Sequence, residues 1–165
     1  MPGKRKDVVR HRDIVTSTFD LKEKQARGYI KTLLGEKRLS WIEQAQGSTN
    51  GVPDVFINRG EHYGLLPTEL KVSYRYMHNP GKQSEPKYVQ VRHVQPSQLD
   101  WHRRHFELGG YSIILVMLNG GVSPDTSWWA LCEGWKIRDW MEGMQIDRLF
   151  HGKDMAEVLG VEAVY

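Results

Sequence analysis

Gly51-Val52-Pro53-Asp54-Val55-Phe56-Ile57, a turn at Asn58-Arg59-Gly60, and Thr68-Glu69-Leu70-Lys71-Val72 form the stretch on which the fold depends. Val52 to Ile57 is a strand candidate carrying Pro53 and Asp54. A second strand is best placed from Thr68 to Ser73. Pro67 has no N–H to donate, so it belongs at that strand's start or on an edge. Side chains alternate along a strand, so Thr68, Leu70 and Val72 face one side, suited to packing. Glu69 and Lys71 share the other side. In isolation such a carboxylate and ammonium are a surface ion pair of small weight. If the two strands pair as a hairpin, however, Asp54 comes near Glu69, and two converging carboxylates repel unless a cation lies between them.

Outward from this stretch, Asp20 is placed to cap a helix from Leu21 to about Leu34, with Glu23 at a capping-box spacing and Gly35 as the stop. Leu39 to Ile42 reads as a short strand or as the end of a helical hairpin, and Gly47 to Gly51 as a loop. Residues 74–87, polar and carrying Pro80, Gly81 and Pro86, read as a long surface loop. Tyr88 to Val94 reads as a short extended segment. Pro96 sits where a first helical residue belongs, and that helix runs to about Leu108 before Gly109-Gly110. Tyr111 to Leu118 is the best central strand in the chain, and Ser127 to Cys132 is another. One or two short helices are expected around Ile137–Met144 and Lys153–Leu159. This order gives an α/β domain, a mixed central sheet flanked by helices. Residues 1–18 are expected to be a basic arm and 19–165 a single domain, with its core at 20–132 and a helical segment at 133–165.

Composition narrows the class. The 165 residues are 39% hydrophobic, enough for one sizeable core. No run approaches the roughly 20 apolar residues of a membrane span, and the positive N-terminus has no apolar segment behind it, so no membrane partner and no secretory signal are expected. The single cysteine, Cys132, forms no internal disulfide and reads as a buried thiol; an intracellular, cytoplasmic location is the expectation. The net charge of +3 alone decides nothing. Its distribution is more informative, because Lys4, Arg5, Lys6, Arg10 and Arg12 crowd the first dozen residues, as a phosphate-binding arm or a solvated terminus would.

The Asp54–Glu69 pair suits Mg²⁺, which takes oxygen ligands, usually one or two carboxylates with water and phosphate; Mn²⁺ is expected to substitute. The backbone carbonyl of Leu70 is a further candidate ligand. Lys71 would stand beside the metal, placed to orient an attacking water or to offset charge on a phosphate.

Gly51-Val52-Pro53-Asp54 followed by Glu69-Leu70-Lys71 resembles the signature of the PD-(D/E)XK nuclease superfamily. Gln98-Leu99-Asp100-Trp101-His102, opening a helix, and Gly109 to Val116, returning as a strand, extend the resemblance to archaeal-type and phage Holliday-junction resolvases, with VRR-NUC domains next nearest. It covers roughly residues 20–118. The resemblance implies a restriction-endonuclease-like fold and hydrolysis of DNA phosphodiester bonds by metal-activated water. Asp54, Glu69, Lys71 and Gln98 would be catalytic, with Gln98 at the position of a glutamine near the active site. Many members also place a glutamate on the first helix as a metal ligand. Glu23 fits that position, and equally a plain capping residue; Glu36 and Glu43 are weaker candidates.

The expected activity is that of a structure-specific endonuclease of recombination and repair, a homodimeric Holliday-junction resolvase first, with a phage origin compatible. The alternatives are a VRR-NUC-like repair or flap nuclease, and a catalytically inert DNA-binding or inhibitory protein on a nuclease fold. Arg75, Lys82, Lys87, Arg92, Arg103 and Arg104, interleaved with Tyr74, Tyr76 and Tyr88, are candidate DNA contacts; an ordinary charged surface is the bland alternative. His102 and His105 lack partners for a metal site. Trp128, Trp129, Trp135 and Trp140 are read as core or interface.

Overall fold

A computed structural model describes residues 23–42, 51–78, 86–91, 95–136 and 144–162, and of 74–78 and 86–87 the backbone alone. The first helix, α1, includes residues 23–34. Its expected cap, Asp20, lies outside the described residues. A 3₁₀ turn, Glu36–Arg38, leads into β1, Leu39–Trp41. Of the two readings of that segment, the strand is the one found.

β2, Val55–Asn58, pairs antiparallel with β1 and with β3, Leu65–His78. Pro67 therefore lies inside a strand, not at its first residue. Pairing of β3 with β5, Ile113–Asn119, begins only at Thr68, so at Pro67 that side of β3 is still an edge and the missing N–H costs no ladder bond there. β3 and β5 are parallel, and the crossover between them contains helix α2, Pro96–Glu107.

The long loop expected at 74–87 is replaced in part by a hairpin. β3 continues to His78 and pairs with β4, Pro86–Val91, with register shifts on the way. The alternation Tyr74-Arg75-Tyr76 belongs to that strand. β6, Trp128–Glu133, pairs antiparallel with β5.

The helical reading of residues 133–165 is also corrected. Met144–Gln145 is β7, paired with β4, and Arg148–His151 is β8, paired with β6. Residues 137–143 lie outside the described set. Met155–Leu159 is the expected short helix, α3. Among the described residues the result is a mixed, open sheet of eight strands, β1-β2-β3-β5-β6-β8, with β4 and β7 joined through β3.

Alternation divides the core into two layers. Leu70, Val72, Ile113, Leu115, Met117 and Trp129 pack beneath α1 (Ala26, Ile30, Leu34) and α3 (Met155, Leu159). Ile114, Val116, Leu118, Ala130 and Cys132 form the second layer with Val89, Val91 and Met144, against which Leu99 of α2 packs. β5 is buried on both faces, as a parallel central strand requires. Trp129 is fully buried, whereas Trp128 and Trp135 are partly exposed; Trp140 lies outside the described residues. No described helix is long and apolar enough to cross a membrane.

His102 seats α2 on the sheet. It is fully buried, with Nδ1 2.7 Å from Ser112 Oγ, and Gly134 packs so close to both that a Cβ would collide with them. Burial, then the charges of His105 and Lys71, lower its pKa from 6.5 to about 4. The folded chain therefore keeps His102 neutral while the unfolded chain protonates it. The stabilisation is present above 6.5 and is lost as pH falls toward 4. Between pH 7 and pH 5 the loss from His102 alone is about 2 kcal/mol, set against a gain of similar size from Glu69, whose pKa the fold raises to about 8. Urea midpoints at the two pH values in wild type and His102→Gln measure it, and on going from pH 7 to pH 5 the variant should gain about 2 kcal/mol more stability than wild type.

Candidate active site

The hairpin register builds the site. The last pair between β2 and β3 is Val55↔Thr68, so one step further along the register sets Asp54 opposite Glu69. β2 stops there, because Pro53 precedes Asp54 and the backbone bends away. An N–H on β3 is thereby left without a strand partner. The Asp54 carboxylate takes that place: Leu70 N–H donates to Asp54 Oδ2 at 2.9 Å. The N–H and C=O of one strand residue point to the same edge. The Leu70 carbonyl therefore lies on the Asp54 side, where the sequence reading put a further candidate ligand.

Glu69 and Lys71 leave β3 on the face of the second layer, toward α2, as their alternation predicts. Glu69 is fully buried and Lys71 nearly so. Lys71 Nζ is 3.2 Å from Glu69 Oε1. Gln98 Nε2 donates to the same oxygen at 2.6 Å, and Gln98 Oε1 accepts from Lys71 Nζ at 3.4 Å and from Gln95 N–H at 3.1 Å. A backbone N–H only donates, so the last bond fixes which end of the Gln98 amide is oxygen. The NH₂ end must then face Glu69. The capping box of α2 and the orientation of an active-site side chain are one set of bonds.

Glu69 Oε2 is buried with no hydrogen-bond partner. Burial first, then the negative charge of Asp54, raise the Glu69 pKa from 4.5 to about 8, a hydrogen bond to Asp54 that needs a proton between the two carboxyls adds to the rise, and Lys71 works in the opposite direction. An orphaned carboxylate oxygen beside a second carboxylate is the environment a divalent cation relieves. Asp54, Glu69 Oε2 and the Leu70 carbonyl fit Mg²⁺ in donor type, all being oxygen.

The remaining sequence candidates do not converge on this point. Among the described residues no group of three His, Cys, Asp or Glu side chains is placed to hold a metal, so Glu23 does not join Asp54 and Glu69 as a third ligand. Glu36 stands in the 3₁₀ turn after α1, and Glu43 lies outside the described residues. Arg103 and Arg104 are exposed on α2, but at 3.6 residues per turn they lie roughly 140° and 120° around the helix from Gln98. Arg103 is paired to Asp100 at 2.7 Å. Arg75 and Lys87 fall on β3 and β4, where the backbone alone is described. Lys4, Arg5, Lys6, Arg10, Arg12, Lys82 and Arg92 lie outside the described residues. His105 stacks on Trp101.

The structure adds the reason for one residue of the motif, and one residue that the sequence reading missed. Gly51, at φ 67°, packs so tightly on the Ser97–Gln98 backbone that a Cβ there would overlap it. The glycine of Gly-Val-Pro-Asp thus ties the Asp54 loop to the N-terminus of α2. Arg27, on α1, reaches Asp54 Oδ1 at 3.7 Å; nothing in its local sequence marks it. No family model matches the chain, and no curated protein or solved structure matches it either.

Proposed function

We propose that the chain is a Mg²⁺-dependent, structure-specific DNA endonuclease of the PD-(D/E)XK type, acting on four-way junctions as a Holliday-junction resolvase. The observation that carries this reading is the cluster at the end of β2. Asp54 is anchored on Leu70 N–H beside a buried Glu69 with an unsatisfied oxygen, and Lys71 and Gln98 stand on the same carboxylate. A purely structural ion pair needs neither the second carboxylate nor the orphaned oxygen. The order α1, β1–β3, α2, β5, with β5 parallel to β3, is compatible with a restriction-endonuclease-like core and supports the same reading.

A divalent cation held by Asp54, Glu69 and the Leu70 carbonyl would lower the pKa of water and offset charge on a phosphodiester. The chain's own groups do the rest. Asp54, restrained by the Leu70 N–H, presents its other oxygen to the pocket. Gln98 holds Glu69 Oε1, which leaves Oε2 for the cation. Lys71 orients the attacking water and stabilises the charge that builds on the phosphate. Gln98 thus positions the glutamate.

Incubation with Mg²⁺ and four-way junction, flap and linear duplex DNA tests the proposal. Paired symmetric nicks confined to the four-way junction, made by a twofold dimer, are the expected result. Cleavage of flaps alone would make this a repair nuclease of the VRR-NUC kind. Tight DNA binding with no affinity for Mg²⁺ or Mn²⁺ and no cleavage would sink the enzymatic reading.

A further inference from the structure

Arg27 is 3.7 Å from Asp54 Oδ1 and is 44% exposed, so it is neither a buried structural partner nor a free surface cation. Its guanidinium also lies 5.2 Å from the centre of the Trp41 ring, and Lys31, one helical turn on, lies 5.7 Å from the same ring. Two cations of α1 therefore share one aromatic platform, Trp41 of β1, and the first of them stands beside Asp54. Cation–π contact restrains both side chains without neutralising them, so Arg27 has a second anchor that does not depend on Asp54.

This arrangement has a consequence when a divalent cation enters. Asp54 then carries a closer and larger positive charge, and its attraction for Arg27 is cancelled. The guanidinium stays over Trp41 beside Asp54, and its donors are then available to a phosphodiester held at that cation. Guanidinium is the side chain best matched to phosphate in geometry. Lys31, about 6 Å further along the helix axis, continues the positive ridge along α1 over the same ring.

We infer that Arg27 is a placeholder counter-ion, which neutralises Asp54 in the metal-free chain and passes to a backbone phosphate of the nucleic acid once a divalent cation takes Asp54, with Lys31 and Trp41 completing the contact. The inference rests on the nuclease reading and adds a substrate-binding ridge on α1, where the sequence placed no nucleic-acid contact. It also gives order to the site, since the phosphate clamp is released only when the metal is in place.

Binding measurements on the full chain test it without using cleavage. Arg27→Gln should raise the Mn²⁺ affinity of the DNA-free protein about two- to fivefold, since a competing cation has been removed from an exposed pair. The same variant, in Ca²⁺ with a four-way junction, should bind more weakly and show a salt dependence shallower by about one phosphate contact. Lys31→Gln should reduce that slope alike and leave Mn²⁺ affinity unchanged, and Arg27→Lys should restore most of the slope. Unchanged or weaker Mn²⁺ binding by Arg27→Gln would overturn the placeholder role, and an unchanged slope would overturn the clamp. If wild type itself binds neither divalent cation nor DNA, the nuclease reading falls and this inference with it.

Discussion

Asp54→Asn is expected to leave the fold in place and to lower Mg²⁺-dependent cleavage by roughly 10²–10³-fold, the scale on which a site loses one charge-stabilising group. The substitution separates the two tasks of this side chain. An asparagine oxygen still accepts the Leu70 N–H, which holds the loop after Gly51 against the exposed edge of β3. What disappears is the negative charge facing Glu69. Without it the pair offers a cation one carboxylate, and Glu69 loses the second largest cause of its raised pKa. Lys71→Met makes the complementary experiment. Lys71 touches Glu69 and Gln98 but is no candidate ligand. That variant should lose cleavage by a similar factor and keep its Mg²⁺ affinity, because removing a nearby positive charge favours a cation. Cleavage rates with calorimetric Mg²⁺ titration distinguish the two. An Asp54→Asn protein that cuts as fast as wild type would refute the site.

How much of this was legible beforehand depends on how local the determining physics is. The facing of Glu69 and Lys71, the start of α2 at Pro96 and the burial of β5 follow from side-chain period and from one residue with no N–H. These determinants act over a few neighbouring residues. The proximity of Asp54 to Glu69 needed one further assumption, a hairpin between β2 and β3, and the register supplies it. The failures are the features that only tertiary partners decide. Tyr74 to His78 look like loop because they are polar, yet β4 gives their backbone a ladder. Arg148–His151 has no apolar run of its own, and becomes a strand because the exposed edge of β6 pairs with it. Arg27 belongs to an ordinary helical surface until the fold brings α1 beside the Asp54 loop. Gly51 was legible as part of a loop, but the reason for a glycine there is a backbone approach from α2, distant in sequence.

The buried glutamate should make this protein less stable as the solution becomes more alkaline, unless a divalent cation is present. Glu69 titrates near 4.5 when the chain is unfolded and at about 8 in the fold. Across that window the folded chain holds more protons, so stability falls as pH rises and the loss is complete above 8. His102 acts in the opposite sense, but only below 6.5. From pH 6.5 to pH 9 Glu69 is therefore expected to dominate over His102, with a loss of about 2 kcal/mol. Mg²⁺ binds the ionised carboxylate, so its stabilising effect should be larger at pH 9 than at pH 6.5. Glu69→Gln removes the charge and keeps the size and the acceptor for Gln98 and Lys71. Metal-free at pH 9 the variant should unfold at higher urea than wild type, and Mg²⁺ should no longer shift its midpoint. The trade is physical: an ionised carboxylate sealed at 0% exposure is costly to the fold, and its retention is accounted for if it holds a cation. A Glu69→Gln protein less stable than wild type at pH 9, or one still stabilised by Mg²⁺ to the same extent, would show that the carboxylate serves the structure and that the cation, if any, sits elsewhere.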